Sequence, residues 1–239
     1  MCGRFILVEF DGFGIRFRVL VRGNSVTRIN IQAAFPELDV ARPRYNIAPT
    51  QPVLAVTDHG RGREVEIMRW GLIPTWANAD KLPRNTFNAR DDRLLESAMW
   101  RGSLRHKRCV IPADGFFEWR KSGKTSIPHF IHPPDGRTWG FAGLYDVWNS
   151  PDGGSITSCA IITTRANEAL SEIDNRMPAI LDEESEDAWL DPGFDDRQAL
   201  VSLVRPLPVA QTEFYPVSRL VNSVANDSAE NIARLGLLM

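Results

Sequence analysis

The sequence predicts an α+β protein with one domain, residues 1–239, built on a curved, largely antiparallel β-sheet or barrel-like core with flanking helices. Three observations indicate this class. Short apolar and aromatic runs, separated by Gly, Pro and Asp turns, fill the middle of the chain as they do in antiparallel sheets. Segments with helical spacing lie between and after these runs. A chain of 239 residues with 43% hydrophobic residues is long enough to bury one substantial core.

Strands are predicted from runs of apolar and β-branched residues that end at turn residues. An alternating run at 13–21 precedes a Gly-Asn turn, and the runs at 53–57 and 64–70 flank a turn at 58–60. The run at 159–164 has apolar residues in succession, which predicts a strand buried on both faces. The other predicted strands are 108–112, 115–120, 129–131 and 139–145.

Helices are predicted at four places. Residues 29–35 form a short candidate, and residues 91–100 place apolar side chains on one helical face. Residues 167–172 and 183–190 are the later candidates. The last of these begins with several acids, which a helix N-terminus favours.

The charge is unevenly distributed along the chain. The formal net charge is −2, yet residues 1–140 carry 22 Lys and Arg against 14 Asp and Glu, and residues 141–239 carry 6 against 16. Of the 28 basic residues, 24 are Arg, whose guanidinium binds phosphate oxygens in a fork. The first part can therefore form an anion-binding surface, although a solvated basic face explains the same count.

The cysteines indicate a reducing compartment. Cys2, Cys109 and Cys159 are an odd number without a close pair, which fits neither a disulfide framework nor a zinc site. Cys109 and Cys159 lie in or beside apolar strands and are expected in the core. The chain start lacks an apolar signal core, and no run is long enough to span a bilayer. A cytoplasmic protein without metal, cofactor or membrane association is therefore expected.

Cys2 is the most reactive candidate in the chain, provided that Met1 is removed. It then carries both an α-amine, with a pKa of about 7.7–8.0, and a thiol, with a pKa of about 8.5. Such a pair suits an aldehyde, because the amine condenses to an imine and the thiol closes a five-membered thiazolidine on the same carbon. The alternative is that Cys2 is a buried, unreactive residue, as most free cysteines are.

Seven motifs occur in order along the chain and together resemble the SOS response-associated peptidase (SRAP) family from residue 2 to about residue 223. Any one of these motifs alone would be a weak signal. Their number and order make the resemblance specific. They are residues 2–5 (CGRF), 44–50 (RYNIAPT), 69–74 (RWGLIP), 87–91 (FNARD), 108–119 (RCVIPADGFFEW), 176–181 (RMPAIL) and 216–222 (PVSRLVN).

The resemblance implies recognition of abasic sites in single-stranded DNA and a covalent crosslink through Cys2. It further implies that Asn88 orients the terminus or the substrate, and that Glu118 assists proton transfer. Glu118 can do so near neutral pH only if it is buried, because a free glutamate has a pKa of about 4.3. A carboxylate in a structural ion pair is the alternative role for Glu118.

Basic residues of these motifs are candidates for phosphate contacts. Arg4, Arg90 and Arg219 are the main candidates, and Arg44 and Arg176 are weaker ones. Contacts of this kind make binding fall as salt rises. A surface ion pair is the alternative for each, so we do not expect all five to contact DNA.

Two further residues match family positions. Trp76 falls where the family places an aromatic residue that packs against bases, and stacking contributes about 1–3 kcal/mol per base. Thr163 matches a pocket position and is a candidate hydrogen-bond partner of the substrate, with a structural hydroxyl as the alternative. Trp70 and Trp119 are expected in the core.

The chain departs from the family pattern at Asp174, which stands where the resemblance implies an active-site histidine. Histidine exchanges protons near pH 7, whereas an ordinary aspartate with a pKa of about 3.9 stays ionised. Asp174 could be buried with a raised pKa, could stabilise a cationic iminium, or could alter the activity. A milder departure is Asp91 next to Arg90, which shortens a supporting carboxylate.

Three functions fit these residues. The first is capture of abasic sites in single-stranded DNA by Cys2, with the protein acting as a monomer. The second is a cysteine autopeptidase limited to the removal of its own Met1. The third is a noncovalent reader of single-stranded or modified DNA in which Cys2 is inert. A metal-dependent hydrolase is disfavoured because the histidines and cysteines lack ligand spacing.

Overall fold

The structure is a computed structural model that describes residues 2–9, 16–21, 24–25, 42–78 and 85–236. The predicted helix at 29–35 lies outside the described residues, as does the first part of the predicted strand at 13–21. Residues 16 and 17 of that strand are helical, and only its last two residues are extended.

Apart from the helical residues 16 and 17, the described residues include fifteen strands and three α-helices, together with several short 3-10 turns. The strands are β1 (Phe5–Leu7), β2 (Leu20–Val21), β3 (Asn24–Ser25), β4 (Arg44–Ile47), β5 (Pro52–Asp58), β6 (Arg63–Trp70), β7 (Asn88–Arg90), β8 (Arg108–Ala113), β9 (Gly115–Ser122), β10 (Thr125–His132), β11 (Trp139–Asn149), β12 (Ser155–Arg165), β13 (Arg176–Pro178), β14 (Ile180–Leu181) and β15 (Glu213–Pro216). The helices are α1 (Arg101–His106), α2 (Glu183–Leu190) and α3 (Arg197–Leu203).

The strands form two sheets. The smaller sheet has five antiparallel strands in the order β15-β10-β9-β1-β4. The larger sheet has ten strands, with the main order β13-β12-β11-β8-β5-β6-β2-β3. In the larger sheet β14 pairs with β11, and β7 pairs in parallel with β12. Because β8 and β9 are separated by a single residue, the chain passes from the larger sheet to the smaller one in the middle of the sequence.

The larger sheet is strongly curved. Its strand β12 also pairs in parallel with β6, but only through Ser158 with Arg69 and Cys159 with Trp70. This short pairing brings two distant strands of the same sheet together without closing a barrel. The predicted α+β class with a curved, largely antiparallel sheet is therefore confirmed.

The main core lies where the two sheets meet. Phe5 on β1 of the smaller sheet packs edge-on against Trp70 on β6 of the larger sheet, with ring centroids 5.1 Å apart, and also contacts Phe141 on β11. All three side chains are buried. A second, smaller cluster packs on the smaller sheet and comprises Ile6, Phe117, Phe130, Val217 and Val221.

The predicted strands from residue 53 onward are all present, most of them longer than predicted. Residues 159–164 are buried throughout, which confirms a strand covered on both faces. The helix predicted at 183–190 has those bounds, and Asp182 caps it by accepting a hydrogen bond from the Ser185 amide. The helix predicted at 167–172 is reduced to a 3-10 turn at Leu170–Glu172.

The helix predicted at 91–100 is wrong, because only a 3-10 turn at Asp91–Arg93 and further turns occupy this stretch. A side chain competes here with helical backbone bonding. The Ser97 hydroxyl accepts from the Met99 amide, which a helix would bond to the carbonyl of Leu95. Such local bonds offer the backbone an alternative to the helix, and α1 begins only at residue 101.

One buried arginine ties helices to the larger sheet. Arg108, at the start of β8, lies almost fully buried and donates five hydrogen bonds to backbone carbonyls. These carbonyls belong to α1, to the end of α2 and to the turn that follows α2. They are those of Leu104, Arg105, Trp189, Asp191 and Phe194.

Replacing Arg108 by Lys should lower the free energy of unfolding by about 2–4 kcal/mol, because an ammonium has only three donors and leaves buried carbonyls unpaired. Urea denaturation at pH 7 measures the loss. The matched control Arg101→Lys, at an exposed position of α1, should stay within about 0.5 kcal/mol of the parent. Equal stability of the two variants would contradict the assigned role of Arg108.

None of the helices within the described ranges has the length and apolar character that a membrane span requires.

Candidate functional site

The start of the chain is held inside the protein. Strand β1 runs between β4 and β9, and the amide of Phe117 donates to the carbonyl of Arg4 at 3.0 Å. Cys2 precedes β1, its side chain is fully buried, and its thiol donates to the Arg4 carbonyl at 3.7 Å. Cys2 therefore sits at a fixed place between the two sheets.

Asn88 fixes Cys2 from the other sheet. It lies at the start of β7, which pairs in parallel with β12, and its side-chain Nδ2 donates to the Cys2 carbonyl at 2.8 Å. Asn88 is 8% exposed, and within the described part of the chain its Oδ1 has no hydrogen-bond partner. This oxygen can accept a hydrogen bond from an amine or from a substrate hydroxyl.

Glu118 is the buried carboxyl of the site. It lies on β9 opposite His129 of β10 and is 4% exposed. Burial raises the pKa of Glu118 to about 8, and the nearby charge of Asp174 also raises it. The adjacent Phe116 and Phe117 are fully buried. At neutral pH the Glu118 carboxyl is mostly protonated and can donate a proton.

The same burial affects the thiol of Cys2. Desolvation raises the pKa of Cys2 well above its ordinary value, and the charges of Glu118 and Asp174 raise it further. The thiol therefore stays protonated at neutral pH, and a thiolate is not the resting nucleophile. Any reaction of this sulfur needs a base that accepts its proton.

Asp174 lies at the edge of this cluster. It follows the 3-10 turn at Leu170–Glu172, is half-buried, and its Oδ1 accepts from the amide of Arg176 at 2.9 Å. Its charge raises the pKa of both Cys2 and Glu118, so it lies within electrostatic range of both. Cys2, Asn88, Glu118 and Asp174 thus form one cluster, although the sequence separates them widely.

Of the three main arginine candidates for phosphate contacts, Arg4 and Arg219 lie near the segment that follows β15. Arg4 is half-buried, donates to the Asn222 carbonyl at 3.5 Å, and has its pKa lowered by burial. Arg219 is exposed at the start of the 3-10 turn Arg219–Asn222. The Asn222 side chain accepts from the indole of Trp119 at 2.8 Å. Trp119 is half-buried and not a full core residue as expected.

Arg90, the third arginine, lies at the end of β7 and is exposed. Its guanidinium forms two hydrogen bonds with the carboxylate of Asp92, at 3.0 and 2.6 Å. A phosphate at this position would compete with Asp92.

Asn222 was not predicted as a site residue from the sequence, although its place as the last residue of the seventh motif was a usable signal.

Trp76 is held on a firm turn with its indole outward. The side chain is 65% exposed. The preceding Thr75 donates from both its amide and its hydroxyl to the buried Asp146, at 2.8 and 2.6 Å. The indole of Trp148 donates to the carbonyl of Ala77. A large exposed aromatic residue on a fixed backbone suits base stacking. Trp70, by contrast, is fully buried as expected.

Thr163 and the two weaker arginine candidates are turned inward. The Thr163 hydroxyl accepts from Arg176 Nε at 3.1 Å, and Arg176 also pairs with Asp91 at 2.6 Å. Asp91 in turn accepts from Thr164, so this shortened carboxylate supports Arg176. Arg44 is buried and donates to the Pro52 carbonyl at 2.6 Å. These side chains hold the strands together in the structure.

Cys109 and Cys159 are fully buried core residues, as expected, and burial raises the pKa of both thiols. In the ranges that the structure describes, no group of His, Cys, Asp and Glu has the arrangement of a metal site.

Comparison with known proteins identifies the family. The model of the family described as "SOS response associated peptidase (SRAP)" matches residues 1–224. YoqW, an abasic site processing protein of Bacillus subtilis (strain 168), is 41% identical over 234 residues, which cover 97% of this chain and 99% of that protein. HMCES, the abasic site processing protein of Gallus gallus, is 36% identical over 228 residues, 82% of this chain and 67% of that protein.

A crystal structure of a protein from Bacteroides thetaiotaomicron has the same fold, with a TM-score of 0.81 and 27% identity, and the match covers 98% of this chain and 100% of the other. The chain belongs to the SRAP family.

The raised pKa of Glu118 predicts a pH-dependent stability. In the unfolded chain a glutamate loses its proton near pH 4.5, whereas the folded protein keeps this proton up to about pH 8. Between these values the folded state binds more protons, so its stability falls as pH rises, by up to about 1.4 kcal/mol per pH unit. Glu118→Gln should remove this slope, and urea denaturation at pH 5, 6, 7 and 8 measures it.

The exposed Glu172→Gln variant serves as the control and should keep the slope of the parent. Parallel curves for the parent and Glu118→Gln would show that Glu118 titrates as an ordinary glutamate.

Proposed function

We propose that this protein processes abasic sites in DNA and captures them covalently through Cys2 after removal of Met1. The observation that carries the proposal is the hydrogen bond from the Asn88 side chain to the Cys2 carbonyl, beside the buried carboxyl of Glu118 with its pKa of about 8. Family membership and the names of the relatives YoqW and HMCES, abasic site processing proteins, support it.

The sugar of an abasic site opens from its cyclic form to an aldehyde, and the first step joins the amine of Cys2 to this aldehyde. The amine attacks the aldehyde carbon and gives a carbinolamine. Protonated Glu118 donates its proton to the carbinolamine hydroxyl, which leaves as water, and an iminium remains. A carboxyl with a pKa near 8 is protonated at neutral pH and suits this acid step, whereas an exposed glutamate would be ionised.

The second step closes the ring. The Cys2 thiol adds to the iminium carbon, and its proton passes to the carboxylate that Glu118 has become. One water is lost overall, a C–N and a C–S bond are formed, and Glu118 returns to its protonated state. This order fits the high pKa of the buried thiol, because the base needed for the sulfur is generated only by the first step.

Asp174 acts electrostatically in this scheme. Its negative charge stabilises the iminium cation, while it supplies no proton of the kind a histidine would. We therefore assign crosslink formation to Cys2 and Glu118. Steps that need another proton donor, such as strand cleavage or crosslink reversal, are slow in this chain.

The DNA is proposed to be single-stranded. The exposed indole of Trp76 stacks on bases, and Arg4, Arg90 and Arg219 contact phosphates. Thr163 supports the site through Arg176 rather than by direct contact. Action as a monomer and a cytoplasmic location belong to the same proposal.

A second candidate function is a cysteine autopeptidase that removes Met1 only, which the family description favours. The full burial of Cys2 favours a third, a noncovalent reader of single-stranded or modified DNA. Neither of these two functions gives a covalent protein–DNA product, so one denaturing gel distinguishes both from the main proposal.

Incubation with a single-stranded oligonucleotide that bears an abasic site should give a slower band on a denaturing gel. Cys2→Ala and Cys2→Ser should abolish this heat-stable band, because each loses the thiol that closes the thiazolidine. Both keep the α-amine, so a band should return when borohydride reduces the imine during incubation. Intact mass must show that each protein begins at residue 2.

Cys159→Ala is the matched control, since it removes a core thiol and leaves Cys2 in place. An oligonucleotide without the abasic site should give no band. The proposal fails if parent protein verified to begin at Cys2 forms no band, or if Cys2→Ala forms the same band without reductant.

Asp174→His should accelerate strand cleavage and crosslink reversal roughly tenfold or more, because histidine donates and accepts protons near pH 7. Time courses on the same oligonucleotide measure both rates. Asp174→Asn, which removes the charge without adding a proton donor, should not show this acceleration. Unchanged rates in Asp174→His would contradict the assigned role of residue 174.

A further inference from the structure

A cleft of about 540 Å³ opens beside the candidate site. It lies next to the end of β7, the end of β12 and the turn before β13. Asp174 precedes the lining residue Asn175 and accepts from the amide of the lining residue Arg176, so the cleft lies next to Asp174. The polar residues that line the cleft are Arg90, Asp92, Arg165, Ser171, Asn175 and Arg176.

Three neighbouring strands bring their arginines to one face of the sheet. Arg90 of β7 pairs with Thr163 of β12, and Arg165 of β12 pairs with Arg176 of β13. Thr163 and Arg165 are two residues apart and so point to the same face. The hydrogen bond from Arg176 Nε to the Thr163 hydroxyl shows that Arg176 lies on this face too.

The charges of these arginines are compensated to different degrees. Arg176 is 10% exposed and pairs with Asp91, and Arg90 is held by Asp92. Arg165 is exposed, and no described residue forms an ion pair or hydrogen bond with its guanidinium. It lies directly across the strand pair from Arg176, whose own charge Asp91 compensates.

We propose that Arg165 is a further substrate-positioning residue, which holds a phosphate of the DNA strand in this cleft next to the abasic nucleotide. The proposal rests on the proposed function and names a contact that the sequence motifs do not include. Arg165 supplies the positive charge that is not already neutralised by protein, and a guanidinium matches the oxygens of a phosphate. The exposed Asn175 offers a side-chain amide on the same cleft wall.

The spacing along β7 fits a neighbouring phosphate. Asn88 contacts Cys2, and Arg90 reaches the cleft two residues later, so the strand advances about 6.6 Å between them. This advance is similar to the separation of successive phosphates in an extended DNA strand. A strand whose abasic sugar reaches Cys2 can therefore place an adjacent phosphate at the cleft, where Arg165 and Arg90 bind it together.

Binding to DNA that cannot react isolates this contact from the chemistry. The probe is a fluorescent single-stranded oligonucleotide with a tetrahydrofuran analogue, which lacks the aldehyde, and anisotropy gives the Kd. Arg165→Gln should weaken binding roughly three- to tenfold. Its plot of log Kd against log salt should be shallower by about 0.7, the value for one lost contact to single-stranded DNA.

Arg197→Gln is the matched control, because Arg197 is an exposed arginine at the start of α3, outside the cleft. It should change neither the Kd nor the salt dependence. Arg165→Lys should recover part of the affinity, since the charge remains. Thermal unfolding of Arg165→Gln should match the parent, which separates loss of a contact from loss of the fold.

Neutral methylphosphonate linkages, introduced one at a time, identify the phosphate. The parent protein should lose affinity when the phosphate next to the tetrahydrofuran is neutralised, and Arg165→Gln should be insensitive to that one substitution. The proposal is overturned if Arg165→Gln binds as the parent does, if Arg197→Gln weakens binding equally, or if Arg165→Gln remains as sensitive as the parent at every linkage.

Failure of the proposed function has a different signature. If the parent forms no Cys2-dependent crosslink with abasic DNA, covalent capture is rejected whatever the anisotropy shows. If the crosslink forms but Arg165→Gln binds the tetrahydrofuran oligonucleotide like the parent, only the role of Arg165 is rejected.

Discussion

The rest of the site depends on the hydrogen bond between the Asn88 side chain and the Cys2 carbonyl. Cys2 precedes a strand of the smaller sheet, and Asn88 belongs to a strand of the larger sheet, so this bond joins the sheets at the start of the chain. The packing of Phe5 against Trp70 crosses the same boundary. A residue that would fray in most proteins is thereby fixed beside Glu118.

Burial at this junction has two linked electrostatic effects. It raises the pKa of Glu118 to about 8, which makes this carboxyl a proton donor at neutral pH. It also raises the pKa of the Cys2 thiol, which makes the amine the better first nucleophile. The same low-polarity environment thus favours one order of bond formation, with Glu118 acting first as acid and then as base.

Most strands could be predicted because their apolar runs and turn residues act locally. The helix predicted at 91–100 failed where the Ser97 side chain takes the Met99 amide from the helical bonding pattern. The roles of the arginines were also difficult to predict from the local sequence. Nothing local distinguishes the inward-facing Arg176 from the exposed Arg165, because partners such as Asp91 come from distant parts of the chain.

The sequence by itself determined the α+β class, the family motifs and the identity of the reactive groups, because these depend on local pattern and residue chemistry. Only the tertiary structure decided that Cys2, Asn88, Glu118 and Asp174 form one cluster, since they lie on separate strands and turns. It alone gave Glu118 its raised pKa, because desolvation depends on what packs around a side chain. It likewise decided which arginines are neutralised by carboxylates and which face the cleft.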